Sequence, residues 1–440
     1  MKKIVYVFTL IVILASCKEK NNTYVAVFND PLLYCKTVKK LNDVVLENNF
    51  PPMIGSRNYA YANIAAYEAM AAGNPSFNSL AGQIHDLGPL PKVDTAGVNF
   101  HMASLLAFIK IGNAVTFPEG SLIGEYDYIV HLADSTGMPE EMITKSKVFA
   151  DTVTAHIMRW SKKDNYAQTR SATKYTVIDT PGRWIPTPPA YMQALEPHWM
   201  EIRTLAIDSP EQFKVPPPMT FNIKDKNSEY YKQVMDVKNA IDSLTPEQKH
   251  IAEFWDDLNV RLNVSGHVQF MTKKFSPPGH WMNIVGIAAQ KAKSDFATTV
   301  SAYTLTSVCI FDAFIQCWNA KYDYNTSRPE TVINKYIDIN WRPFLQTPPF
   351  PEYTCGHSTI SSAAAEALTS IYGEPFAYTD SSELEFGIEN RSFKSFRDAA
   401  IENNSARFYG GIHFHPSCIV SNPAGREVGD FIVGKLKMRK

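Results

Sequence analysis

Residues 282–318 read MNIVGIAAQKAKSDFATTVSAYTLTSVCIFDAFIQCW, a long apolar stretch rich in Ala, Ser and Thr. Its length and small-residue content predict one or two helices buried inside a bundle. Toward the C-terminus, His357–Tyr372 (HSTISSAAAEALTSIY) follows Gly356 as another tightly packable helix, and Phe393–Phe408 is amphipathic. Toward the N-terminus, Arg57–Met70, Asn99–Ile111, Glu125–Asp134 and Ser146–Trp160 repeat the same spacing.

Between Thr180 and Phe221 the texture changes, with Pro181, Pro186, Pro188, Pro189, Pro210 and Pro216–Pro218. This predicts a long ordered loop, because Trp184, Tyr191 and Trp199 need partners to pack against. Helices resume at Tyr230, and Thr245-Pro246-Glu247-Gln248 is a helix start with cap, first-turn proline and reciprocal Gln. No hairpin pattern, nucleotide loop or internal repeat stands out. The fold class read from this pattern is all-α, a helical bundle. Residues 23–280 form a helical N-terminal half with Pro-rich loops, and 281–440 a catalytic bundle.

The chain has 440 residues, 45% hydrophobic and 20% charged, with formal net charge -1. That near-neutral charge gives no field favouring nucleic acid or an anionic membrane surface, so any anion site needs a local cluster of Arg, Lys and His.

Lys2 and Lys3 precede an apolar run, Ile4–Leu14, too short to span a bilayer. Leu14-Ala15-Ser16-Cys17 then has the form of a bacterial lipobox. The expectation is a signal peptide over 1–16, lipidation of Cys17 and a polar tether over 17–22, giving an exported protein anchored at the cell envelope. No later stretch reads as apolar enough to cross a membrane. Cys35, Cys309, Cys317, Cys355 and Cys418 show no disulfide framework. Cys309 and Cys317 would lie roughly 12 Å apart along one helix and so cannot pair there.

Three segments near the C-terminus concentrate cations: Lys321 to Arg328-Pro329, Pro351-Glu-Tyr-Thr-Cys355-Gly356-His357-Ser358, and Arg407 followed by His413. Together they supply what a small oxyanion requires. Guanidinium and ammonium groups neutralise its oxygens. A helix start at Gly356 and His357 adds N–H donors and a favourable dipole. One histidine can bond the central atom while another moves protons. Singly, each piece has an ordinary structural reading: a surface Arg-Pro, a helix cap, a core histidine beside Ile412 and Phe414. The conjunction is what carries weight.

Lys-x6-Arg-Pro, then Gly-His at a helix start, then Arg-x5-His resembles the signature shared by vanadium haloperoxidases and type 2 phosphatidic acid phosphatases. The likeness spans Trp318 to Ser417, and iodoperoxidases of marine flavobacteria resemble the chain in length and motif spacing. The resemblance implies a helical bundle with vanadate as cofactor. It assigns vanadate oxygens to Lys321, Arg328 and Arg407, with Cys355 in place of the family's serine and the Gly356 N–H as donors. It makes His413 the axial vanadium ligand and His357 the acid–base group, and it puts Trp318 and Phe350 on the halide side. Hydrogen peroxide and a halide are the implied substrates. Cys355 favours iodide, because a thiol is a weaker donor than a hydroxyl and is readily oxidised by hypohalous acid.

A second departure is Ser417, which stands where the family often has an Asp, so the orientation of His413 must come from another acceptor. The runner-up is an acid phosphatase with His413 as nucleophile; a third reading is an oxyanion-binding lipoprotein without turnover. Outside the three segments, His413-x-His415 suggests a weak metal chelate, Asp256 and Asp257 a solvated helix end. Ser276–Trp281 reads as a loop over the site mouth or a rigid turn packing Trp281.

Overall fold

The structure is a computed structural model that describes residues 23–116, 122–258, 261–265 and 268–440. The predicted signal peptide, the tether and Cys17 lie outside the described residues. In chain order the helices are α1 (Tyr24–Asn29), α2 (Pro31–Glu47), α3 (Pro52–Ala72), α4 (Phe100–Val115), α5 (Ile123–Ser135), α6 (Glu140–Ser161), α7 (Tyr166–Ser171), α8 (Glu229–Asp242), α9 (Pro246–Phe254), α10 (Pro277–Ala292), α11 (Phe296–Tyr324), α12 (Pro329–Tyr336), α13 (Gly356–Tyr372), α14 (Phe396–Tyr409) and α15 (His415–Lys435). Strands β1 (Arg261–Ser265) and β2 (Val268–Thr272) pair antiparallel, as do β3 (Tyr378–Asp380) and β4 (Arg391–Phe393).

The 282–318 stretch divides between α10 and α11. Lys293 takes a left-handed conformation (φ 51°) that ends α10, and Asp295 caps α11 by accepting from Thr298 N at 2.7 Å. By length and composition α11 is apolar enough to cross a membrane, contrary to the sequence expectation, yet its apolar window is entirely buried inside the protein. It packs against α3, α10, α13 and α15, making it the bundle's axis. The Thr245 capping box forms with both reciprocal bonds. The β1–β2 hairpin corrects the expectation of no hairpin; its strands are five residues each, too short to stand out against helical periodicity.

Small residues bring backbones close where α13 meets α15. A Cβ on Gly425 would lie 1.9 Å from the Thr359 carbonyl oxygen, so only glycine allows this approach.

The Pro-rich region carries only a short 3₁₀ turn, Trp199–Glu201, and is fastened to α11. Asp312 accepts from the backbone N–H groups of Leu205, Ala206 and Ile207 at 2.6–2.9 Å. Gln316 Nε2 donates to Phe213 O at 2.8 Å, and Trp318 Nε1 and Tyr322 Oη both donate to Leu195 O. Trp184 and Trp199 are fully buried as expected, whereas Tyr191 is 64% exposed and contributes no packing.

Candidate active site

Helix ends assemble the three cationic segments. Lys321 lies in the last turn of α11, Arg328 caps α12, and Cys355 caps α13, whose first two residues are Gly356 and His357. Arg407 is in the last turn of α14, and His413 sits in the short turn before α15. Gly411, with φ 74°, lets the chain reverse there. Arg328 Nη1 lies 2.9 Å from His413 Nε2, joining the first and third segments directly.

The orientation of His413 comes from Glu352. His413 Nδ1 donates to Glu352 Oε1 at 2.8 Å, and Ser417 Oγ donates to Glu352 Oε2 at 3.0 Å. The Phe414 N–H adds a third bond to the same carboxylate. With its proton fixed on Nδ1, His413 turns the Nε2 lone pair toward Arg328, the tautomer a metal ligand requires. Sequence reasoning quoted Glu352 inside the second segment without giving it a role. The signal was there: one carboxylate in a segment with no Lys or Arg to pair it, and a serine where an Asp was expected.

The arginines retain unused donors. Arg328 gives Nε to Phe350 O and Nη1 to Ile412 O, while its buried Nη2 has no partner. Arg407 gives Nη1 to Trp255 O at 2.7 Å and leaves a buried Nε unpaired. Ser358 Oγ and His357 Nε2 are likewise buried and unpartnered. Lys321 differs. Its ammonium donates to the carbonyls of Pro351, Glu352 and Thr354, which accounts for all three of its protons. Its charge is beside the site, but its donors strap down the loop that carries Glu352. Burial lowers the Lys321 ammonium to about 8 and the Arg328 guanidinium to about 10.

Burial also pulls the His357 imidazole well below its ordinary range, and the neighbouring Arg407 charge adds to the effect. A neutral ring at this place is a base ready to take a proton. Its Nε2 lies 3.9 Å from Asp257 Oδ2. Cys355 is fully buried at the N-cap of α13, where its backbone N–H donates to Ser421 Oγ at 2.8 Å and its side chain feels the charges of His413 and His357. Trp318 and Phe350 meet at a ring-centroid distance of 5.0 Å, with the Lys321 ammonium over both rings.

Two further expectations are corrected. Asp256 and Asp257 are each 1% exposed and form no solvated helix end. Ser276–Trp281 is no lid: it packs Trp281, as the second reading has it, but as the opening of α10 and not a turn, with Trp281 donating to Ser361 Oγ at 2.8 Å and His280 completely buried. The His413–His415 pair forms no metal-ligand group among the described residues: His413 is bonded to Glu352, and Phe408 packs on the His415 ring.

As a whole, the site offers a small oxyanion several cationic donors, a helix N-terminus, one oriented nitrogen lone pair and one neutral base. A family model described as the VCPO second helical-bundle domain matches residues 337–439. A solved structure, the first bacterial vanadium-dependent iodoperoxidase, matches with TM-score 0.88 and 41% identity, over 93% of this chain and 97% of its own. The holo and apo forms of a bacterial vanadium-dependent chloroperoxidase match with TM-scores of 0.66 and 0.65. Their identities are 15% and 17%, over 88% of this chain in each case and 92% and 95% of their own, which speaks for the fold alone. No curated protein sequence matches the chain.

Proposed function

The chain belongs to the vanadium-dependent haloperoxidases, and from that premise we propose that it oxidises iodide in preference to other halides, using the residues gathered around His413. The family's cofactor is vanadate and its substrates are hydrogen peroxide and a halide. The residues present fit that oxyanion. Buried, unpartnered donors on Arg328, Arg407 and Ser358 are what its oxygens would satisfy, and this is the observation that carries the reading.

His413 Nε2 would bond the vanadate, with the ring held in place by Glu352 and Ser417. Arg328 Nη2 and Arg407 Nε would hold oxygens, together with the Gly356 N–H, which has no intrahelical acceptor at the start of α13. Cys355, at the N-cap of α13 where the family has a serine, would be a weaker donor than a hydroxyl. Lys321 contributes charge and the position of its loop. The chemistry a vanadate held there would supply is Lewis acidity toward peroxide. His357 would take the peroxide proton at Nε2, which makes no hydrogen bond within the protein. Trp318 and Phe350 would exclude water on the side where the halide approaches.

Iodide preference rests on Cys355 and on the 41% identity to an iodoperoxidase. The test is a peroxidase assay on purified protein with orthovanadate, comparing iodide, bromide and chloride, with phosphate-ester hydrolysis measured alongside. Vanadate-dependent iodide oxidation is expected. Ester hydrolysis without halide oxidation would give the site to a phosphatase instead. We also propose that the mature protein begins at a lipidated Cys17, on the strength of Leu14-Ala15-Ser16-Cys17. An intact mass showing an unmodified N-terminus would refute that.

A further inference from the structure

On the far side of His357 lies a second buried cluster, of opposite sign. Asp257, His280, Asp380 and Glu383 are each at most 1% exposed. They come from the segment after α9, the first turn of α10, the end of β3 and the turn beyond it. His280 Nδ1 is 2.9 Å from Asp257 Oδ1, and His280 Nε2 is 2.9 Å from Asp380 Oδ2. A ring facing a carboxylate at both nitrogens donates from both, so it is an imidazolium. Asp380 Oδ1 is satisfied separately by Ser382 N and Ser382 Oγ.

What remains is unpaired. Both Glu383 oxygens and Asp257 Oδ2 are buried with no hydrogen-bond partner. Glu383 Oε1 is 3.8 Å from His280 Nδ1, and ligand atoms of Asp257, His280 and Glu383 all lie within 4.8 Å of one another. Three carboxylates and one imidazolium leave two negative charges in a buried space. Lys274, the nearest ammonium felt by Glu383, donates to Glu253 O and does not pair with the cluster. Burial disfavours the charge on Glu383 and raises its carboxyl, so an ionised Glu383 calls for a counter-ion.

We propose that Asp257 Oδ2 and the Glu383 carboxylate bind a hard divalent cation. His280 has no lone pair to offer, so the donors are oxygens, which suits Mg²⁺, Mn²⁺ or Ca²⁺ better than Zn²⁺. His280 acts behind them: its Nδ1–H fixes the Asp257 carboxylate, and Asp380 fixes His280. Two positive charges match the two negative ones, and the ion displaces the Glu383 proton to solvent. This site stands independently of vanadate and of the haloperoxidase reading.

The test uses the full chain, stripped with chelator, without vanadate, in phosphate-free buffer at neutral pH. Mn²⁺ is titrated while its free-ion electron paramagnetic resonance signal, proton release and melting temperature are followed. The expected result is one Mn²⁺ per chain, about one proton released per ion, and a raised melting temperature, with Ca²⁺ or Mg²⁺ competing. Glu383→Gln should weaken Mn²⁺ binding by at least about 100-fold, more than the loss of an outer-shell partner does. It should also melt no lower than the stripped wild type, since it removes an unpaired carboxyl. If the wild type takes up none of the three ions, a proton shared between Asp257 and Glu383 fills the space and the proposal is wrong. Equal binding by Glu383→Gln would also overturn it. Should that variant not fold, stoichiometric uptake with proton release by the wild type decides.

Discussion

The two buried polar clusters approach each other at His357 Nε2 and Asp257 Oδ2, 3.9 Å apart, and leave groups of opposite kind unpaired. Around His413 there are donors without acceptors: Arg328 Nη2, Arg407 Nε and Ser358 Oγ. Around His280 there are acceptors without donors: Asp257 Oδ2 and both oxygens of Glu383. Buried polar groups are nearly always paired, because leaving one unmade costs its full desolvation. The sign of the unpaired atoms therefore names the sign of what belongs there. One cluster is built for an anion, the other for a cation.

The largest effect that could break this contrast is at His413. His413→Ala removes the lone pair that Glu352 holds ready to bond vanadium, so bound vanadium and halide oxidation should both fall to background while the fold survives. Metal analysis and thermal melting check this; a variant retaining bound vanadium and full turnover would remove the basis for the anion site. Next in size is His357→Ala, which should keep vanadate yet slow turnover by about 10²–10⁴-fold. Because burial and Arg407 hold His357 low, its neutral form persists as pH falls. The acid limb of the wild-type rate should lie below the ordinary histidine value of about 6.5 and disappear in the variant. A limb at or above that value would mean His357 is not the base.

Smaller still is Glu352→Ala, which frees the His413 ring to turn. Vanadate affinity should drop about 10–100-fold, and Glu352→Gln should restore part of it, since a carbonyl oxygen can still accept from Nδ1. Equal losses in both variants would show that charge matters here and orientation does not. Cys355→Ser is expected to have the least effect: a few-fold rise in bromide relative to iodide oxidation and slower inactivation during turnover. An unchanged halide ratio and lifetime would detach the thiol from selectivity.

The clusters also differ in how far the sequence reveals them. Lys321, Arg328, Gly356, His357, Arg407 and His413 lie in three short segments whose internal spacing follows from helix ends, so local pattern is enough to find them. His280 and Asp380 are 100 positions apart and joined only by the fold. Asp257 therefore read as a solvated end, although it is buried. Helical periodicity located α3, α4, α6, α11, α13 and α14 well, because each repeats its apolar residues over several turns. It passed over α15, which contains Pro423, and the β1–β2 hairpin, whose strands are short. Lys321 shows another limit: spacing marked it as a cation at the site, but only the fold ties its protons to three carbonyls.

Gly425 has a consequence beyond packing. His357 rides on the first turn of α13, and His413 is two residues ahead of α15, so the contact between these helices acts as a gauge block between the two histidines. With a Cβ held 1.9 Å from Thr359 O, any side chain at 425 must lever the helices apart on the order of 1.5 Å, and misplacements of that size cost about 100-fold in rate. Gly425→Ala should thus detune a reaction whose chemical groups are all still present, with the fault lying in the calliper and not in the parts it measures.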